Sequence, residues 1–409
     1  MRISLFLFII LSLPCVQLHA QERGCTDPRA KNYGPAAVFN DGSCIYEKTT
    51  YKAETIIRKL PAILNENSGM MLWNDLFWFH NDSHNEPVLY ALDTLDNIIK
   101  DSIRIYLAKN RDWEDISQDE DYIYIGDFGN NSGKRQDLKI YKIRKTPFYK
   151  NNDSYFQPDL IEFKYPDQHI FEFSRDHNFD CEALFPFRDS LYLFTKNWGD
   201  HKTKLYSIPK AAGNYTATLL DSFDAGGLIT SAAINADSNL VVLLGYDHYQ
   251  PFFILLSDFP ETQFFKGHKR RIEMPRIYGY QTEAISFISG NQFVFSSEKT
   301  KLTPNRLFRV QTGEWTQTLT EVLNELQNPV LPFQLFKTAD EFALYIRLPE
   351  PKAHIVISIW NTDIKHREKV RTNKHTSLYK THIPSPEKGK YQIRIKRGKT
   401  ITESEFSYD

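Results

Sequence analysis

The sequence predicts an all-β chain: a β-propeller, with five blades favoured and six left open, followed by a small antiparallel β-sandwich. Three observations carry that expectation. Tyr (22) and Phe (29) are plentiful among 409 residues while Gly and Pro stay ordinary, which suits pleated, half-buried strands. A unit of about 50 residues recurs through the middle of the chain, each with short apolar runs. After Pro329 the repeat stops and shorter alternating runs take over. With 25% charged residues and a net charge of -1, the chain is neither disordered nor, overall, a polyanion binder. Nothing in it points to nucleic acid.

Residues 1–20 read MRISLFLFIILSLPCVQLHA, with one early arginine, a short apolar run and Leu18-His19-Ala20 before Gln21. This is the pattern of a signal peptide cleaved after Ala20. The run is too short to span a bilayer, and no later stretch reaches about 18 apolar residues. The mature protein is therefore expected to be soluble and exported, whether periplasmic, cell-surface or secreted.

Residues 21–49 form a separate module and linker. Export places Cys25 and Cys44 in an oxidising compartment, where they are expected to pair. The loop they bracket is too polar to build a core, and closing it supplies about 3 kcal/mol by the chain-entropy argument. Asp27, Asn40 and Asp41 have the oxygen ligands Ca²⁺ takes, although such residues also make turns. G-C-T-D-P-x-A-x-N-Y followed by N-D-G-S-C, from Gly24 to Tyr46, resembles a module of exported proteins from Bacteroidota-type Gram-negative bacteria. The resemblance implies origin and export, with no chemistry attached.

The propeller is expected over residues 50–328. Its units open at Ser68-Gly69-Met70, Glu114-Asp115-Ile116, Glu182-Ala183-Leu184, Ala232-Ala233-Ile234 and Glu283-Ala284-Ile285. A second run follows each opening (LFWF, YIYIG, LYLF, LVVLLG and QFVF), then a third (VLYAL, LKIYKI, KLYSI, FFILL and RLFRV). Outer fourth strands are expected in IIKDSIRIYL, LIEFKY, TATLLDSF and TQFFKGHKRRIEM. A two-sheet sandwich would need no recurring opening triplet. The fifth unit has no outer strand of its own, because Thr318 to Gln327 reads as a helix capped by Thr318 and Glu321. The missing strand is expected from Tyr51 to Leu60, which would close the ring.

These units resemble the five-bladed propellers of the SdiA-regulated family and related exported propellers. The likeness is carried by Ser68-Gly69 with His80-Asn81-Asp82-Ser83, by Asp112 to Ile116, and by Gly126 to Asn131. Cys181-Glu182-Ala183-Leu184 and Thr282-Glu283-Ala284-Ile285 extend it. It implies a fold and no settled reaction.

Neighbouring strands of a blade run antiparallel, so the start of the first strand and the end of the second share one face. Glu114, Glu182 and Glu283 belong to the first set; Asp82, Asp127, Lys196, Asp247 and Glu298 belong to the second. Both are expected to ring the channel mouth. Converging carboxylates raise each other's pKa unless a cation intervenes, and Ca²⁺ takes oxygen ligands of this kind. Glu114, Glu182, Glu283 and Asp127 are the expected calcium ligands, with Asp82 and Trp113 added for a bound ligand. The competing reading has the glutamates accepting hydrogen bonds from neighbouring blades' amides. His80, His177 and His248 lie near the same face, where one beside a carboxylate would serve as a general base. Trp113 and Trp198 would stack on a sugar or pack between blades, and Cys181 reads as a small buried hydrophobe. No zinc spacing, G-x-S-x-G, P-loop or H-E-x-x-H occurs.

Residues 329–409 hold EFALYIRL, HIVISIW, YKTHI and KYQIRIKRG, the runs of a small sandwich. Gly389 to Arg394 is similar to the G-x-Y-x-v-x-i run of type IX secretion sorting domains, which implies recognition by secretion machinery. Lys352 to Asp409 carries 13 Lys and Arg against 6 Asp and Glu. That excess protects edge strands from aggregation or meets an anionic outer-membrane surface. The expectation is a monomeric ligand-binding or protein-interaction module at the cell envelope, taking a small molecule, glycan or protein. A metal-dependent hydrolase of the lactonase or phosphoesterase type is the first alternative, and a structural envelope protein without a ligand is the second.

Overall fold

The computed structural model describes residues 22–145, 157–237 and 239–316, and beyond them seven strands between Phe333 and Tyr408. The expected signal peptide and the expected helix at Thr318 to Gln327 lie outside the described residues. Five antiparallel sheets follow the repeat. The first blade is Asn67–Trp73, Leu76–Asn81, Val88–Asp93 and Ile98–Arg104; the second is Trp113–Gln118, Tyr122–Asp127, Lys139–Arg144 and Asp159–Lys164. The third is Asp180–Phe187, Ser190–Lys196, Thr203–Pro209 and Thr218–Phe223; the fourth is Leu228–Asn235, Leu240–Asp247, Gln250–Ser257 and His268–Glu273. The fifth takes Thr282–Ser289, Gln292–Ser297 and Arg306–Gln311 from its own unit and Glu54–Ile57 from the start of the chain. Each inner strand touches the inner strands of both neighbours, the fifth against the first, so the ring is closed.

Apolar side chains from facing blades fill the gaps between them. Five buried clusters among the described residues correspond to the five blade-to-blade interfaces. The ring closes through the last of these, where Ile57, Leu60 and Leu64 pack with Phe79, Val294 and Leu307. Two short strands were not foreseen. Gly213–Thr216, from the third unit, runs parallel to the outer strand of the second blade, and Thr49–Thr50 does the same for the fourth.

Every inner strand carries a β-bulge at its channel-side start. The pairing register slips between Asn67 and Gly69, Trp113 and Asp115, Cys181 and Ala183, Ile229 and Ser231, and Thr282 and Ala284. The extra residues are Ser68, Glu114, Glu182, Thr230 and Glu283. This corrects the fourth unit, whose equivalent position is Thr230 and not Ala232. Hydroxylic Thr230 broke the small-or-acidic pattern, and Ala232 lies two residues further along the same strand.

The N-terminal module pairs Glu22–Gly24 with Ala37–Asn40 in parallel and is closed by the Cys25–Cys44 disulfide. It docks on the fourth blade, where Thr26 Oγ1 donates to Asp258 Oδ2 at 3.0 Å and Lys269 Nζ to the Gly42 carbonyl at 2.9 Å. Asp27 is held by Arg29 at 2.8 Å and by the Tyr46 hydroxyl at 2.9 Å, while Asn40 and Asp41 accept from the amides of Gly42 and Ser43. The three residues therefore shape turns and an ion pair, which does not fit the calcium reading of this module.

The C-terminal strands form two antiparallel sheets. One orders Phe333–Lys337, Glu341–Arg347 and Leu378–Pro384; the other orders Lys365–Arg371, His354–Trp360, Gly389–Arg397 and Thr400–Tyr408. Among the described residues no helix is long and apolar enough to cross a membrane.

Candidate functional site

A bulge leaves one residue unpaired in the ladder and re-aims its side chain. Here the ring repeats that device at the mouth of the channel. In the first and fourth blades the bulged residue is hydroxylic and bonds the start of the next blade. Ser68 Oγ donates to the Trp113 carbonyl and Thr230 Oγ1 to the Thr282 carbonyl, both at 2.7 Å. An ionised carboxylate cannot donate. Glu114, Glu182 and Glu283 instead face a cavity of about 550 Å³, which Asp82, Lys196 and Glu298 also line.

Two acidic triads meet there. Oxygens of Glu114, Asp180 and Glu182 lie within 4.8 Å of one another, and so do oxygens of Asp82, Asp112 and Glu114. Glu114 belongs to both. Lys196 is the one lysine or arginine among the described residues lining the cavity; its Nζ lies 3.2 Å from Glu182 Oε1. Burial draws the lysine down, but the surrounding charges, Glu182 foremost, hold it well above its ordinary value. Asp180 accepts from Trp198 Nε1 at 2.8 Å and from the Asn130 amide.

Burial and mutual repulsion push the acids the other way. Burial raises Glu114 well above its usual range, and Glu182, Asp82, Asp112 and Asp180 add to the shift. Burial lifts Glu182 against the pull of Lys196. Asp112 is pushed up to about 7 by burial with Asp82 and Asp180, Glu283 to about 7 by burial, and Glu298 to about 9 by burial with Glu283. Glu283 Oε1 has no hydrogen-bond partner. Acids gathered in this way could hold a metal ion, or keep protons close to neutral pH.

Several expected residues sit elsewhere. Asp127 ends the second strand of its blade opposite Trp113 and is claimed by buried Arg135, so it does not line the cavity. Trp113 is fully buried between the first two blades, its ring 5.5 Å from His80 and 5.8 Å from Tyr141. It is a core residue, unavailable for stacking. His80 is sealed from solvent, and burial lowers it to about 4. His177 lines a separate cavity, with Nδ1 accepting from the Phe179 amide at 3.2 Å. His248 stands exposed at the rim, 2.8 Å from Asp247. Trp198 lines the mouth, and Cys181 is buried with its thiol pushed up by that burial.

The amide-accepting role falls to Asp115, one residue beyond Glu114. It takes the Leu184 amide at 2.9 Å and Ser231 Oγ at 3.2 Å, tying the second, third and fourth blades together. Asp112 and Asp180 were absent from the expected ligand set. A signal for both existed: Asp112-Trp113-Glu114 and Asp180-Cys181-Glu182 repeat an Asp-x-Glu spacing.

The site and topology define a five-bladed β-propeller with a carboxylate-lined mouth. The sequence matches no protein-family model and no curated protein. Among solved structures it is similar to an exo-β-1,3-galactanase from Phanerochaete chrysosporium, at 9% identity over 85% of this chain and 92% of that one (TM-score 0.38). It is also similar to the Cps50 (Swd1) β-propeller domain of Myceliophteria thermophila, at 11% identity over 64% and 99% of the two chains (TM-score 0.32). A GH43_1 enzyme from Xanthomonas citri gives 10% identity over 64% and 90% (TM-score 0.37). Likenesses this distant carry no argument about activity, and the propeller assignment stands on the strand topology itself.

Proposed function

We propose that this chain is an exported binding module whose channel mouth takes a small-molecule, glycan or protein ligand through a hard divalent cation of the calcium type. The observation that carries this reading is the imbalance of charge at one buried place. Carboxylates from all five blades line the cavity there, Asp247 supplying the fourth blade's, and among the described residues Lys196 alone lines it as a fixed cation. All-oxygen donors suit calcium, manganese or magnesium over zinc. The paired cysteines and the resemblance of Gly24 to Tyr46 to exported modules support placement at the cell envelope.

Calcium should raise the melting temperature of the purified protein, by the equivalent of about 2.7 kcal/mol at a hundredfold excess over the dissociation constant. Glu114→Gln should remove that response and leave the metal-free fold as stable or more so, because Glu114 gives up only a buried charge. A wild-type melting temperature indifferent to calcium, manganese and magnesium would refute the reading.

A metal-dependent hydrolase at the same mouth is the second reading. It is favoured by carboxyl groups poised as proton donors, Asp112 at about 7 and Glu298 at about 9, beside other acids. Turnover of a lactone, ester or phosphoester panel, lost on chelation, would establish it in place of simple binding.

A further inference from the structure

The two triads are not equivalent. In the Glu114–Asp180–Glu182 triad a cation is already built in. Lys196 Nζ lies 3.2 Å from Glu182 Oε1 and 5.0 and 5.7 Å from the ring centroids of Trp198 and Tyr246. Both Asp180 oxygens have protein donors. On this side the protein's own groups compensate part of the charge: one ammonium and two N–H donors stand against three carboxyl groups.

The Asp82–Asp112–Glu114 triad lacks such partners. No lysine or arginine among the described residues forms an ion pair with any of the three, and the Ser83 amide is the one protein donor found on their carboxylates. Glu114 is only 6% exposed and accepts no hydrogen bond from a described residue. Gly129 makes its position feasible, since a Cβ there would collide with Glu114 Oε1 and the Asp112 carboxyl. The chain thus removes a side chain to let two like charges converge with no donor between them. From another wall of the same cavity, Glu283, 5% exposed, presents an oxygen that likewise has no partner. Like charges in such an arrangement call for a mobile positive ion.

We propose that Asp82, Asp112 and Glu114 hold one hard divalent cation, and that Lys196 is an internal counter-ion that closes the Glu114–Asp180–Glu182 triad to a second. The assignment rests on the cation-dependent reading above and specifies it further. An ammonium at Glu182 repels an ion placed within a few ångströms of it, whereas Lys196 and Arg135 act on Asp82 and Asp112 only from beyond ion-pair distance. Three carboxylates supply at most about six oxygens of the six to eight that calcium takes. The remaining positions face the cavity, where water or an oxygen of the ligand completes the shell.

Calorimetric titration of the full chain with calcium, checked by elemental analysis after desalting, reads the stoichiometry directly. One ion per wild-type chain is expected. Asp112→Asn, at a partly exposed position, should weaken binding at least tenfold, and Glu182→Gln should leave the affinity within about threefold. Lys196→Met should bind two ions, while Lys196→Arg should still bind one. If the Lys196 variants fail to fold, the contrast between Asp112→Asn and Glu182→Gln decides the matter alone. Affinity lost in Glu182→Gln but kept in Asp112→Asn would place the ion in the other triad and overturn the assignment, leaving cation binding intact. Two ions in the wild type, or one in a folded Lys196→Met, would overturn the role of Lys196. No ion in the wild type would end the cation-dependent reading itself.

Discussion

Lys196 and Glu182 face each other with 7% and 2% of their side chains exposed, so neither charge is screened by water. Replacing a buried pair by apolar groups is often tolerated, but removing one partner leaves the other charge uncompensated. Lys196→Met should therefore cost about 3–5 kcal/mol in urea unfolding, and adding Glu182→Gln should restore part of it. A loss below about 1 kcal/mol would mean that the pair is solvated after all. Protons at the mouth act in a definite direction. Glu298 moves from an ordinary 4.5 to about 9 and Glu283 to about 7, so the folded state keeps protons that the unfolded chain has released. Their contribution is complete below pH 4.5 and is lost as pH rises through the folded values. His80, lowered from 6.5 to about 4, has the opposite slope, but only below 6.5. Between pH 6.5 and 9 the melting temperature of the metal-free protein should fall, and Glu298→Gln should flatten the decline and melt higher than wild type at pH 9. A flat or rising wild-type curve over that interval would contradict the buried acids.

At the scale of the strand, much was legible from residue order, and the rest depended on what a bulge does. Short, near-continuous apolar runs bounded by turns marked the inner three strands of each blade, and the outer strands of the first four blades fell where expected. The opening triplets worked because the bulged residue must be one that tolerates leaving the ladder at a crowded axis. Glutamate, serine and threonine all qualify, and that tolerance hid Thr230 in the fourth unit. Asp127 was misplaced for a tertiary reason: Arg135, eight positions on, claims its carboxylate, and sequence spacing cannot show which of two faces an acid joins. Trp113 reads as a sugar platform or a core residue with equal ease until its neighbours Tyr141 and His80 are known. Asp112 and Asp180 were missed because each precedes its strand's glutamate and looks like an ordinary turn residue. Their shared Asp-x-Glu spacing gains meaning only once the bulge turns the glutamates inward.

The mouth exists only while the ring is closed, because its acids come from blades far apart in sequence. Closure depends on a segment near the start of the chain: Ile57, Thr55 and Glu54 pair with Leu307, Phe308 and Arg309 of the fifth blade. The exposed ion pair of Glu54 with Arg309, at 2.8 Å, adds at most about 1 kcal/mol. Most of the closure comes from Ile57, Leu60 and Leu64, which are 6%, 1% and 0% exposed and seal the interface between the fifth and first blades. Leu60→Ala should consequently cost about 2–5 kcal/mol, whereas Glu54→Ala should change stability by less than about 1 kcal/mol. Deleting Tyr51 to Leu60 should go further, removing the cooperative transition and the calcium response together, since an open ring cannot hold Asp82, Glu114 and Glu283 at one mouth. Urea unfolding followed by tryptophan fluorescence, with and without calcium, measures both effects in one series. A deletion that melts like the wild type and still responds to calcium would show that the ring closes without this strand.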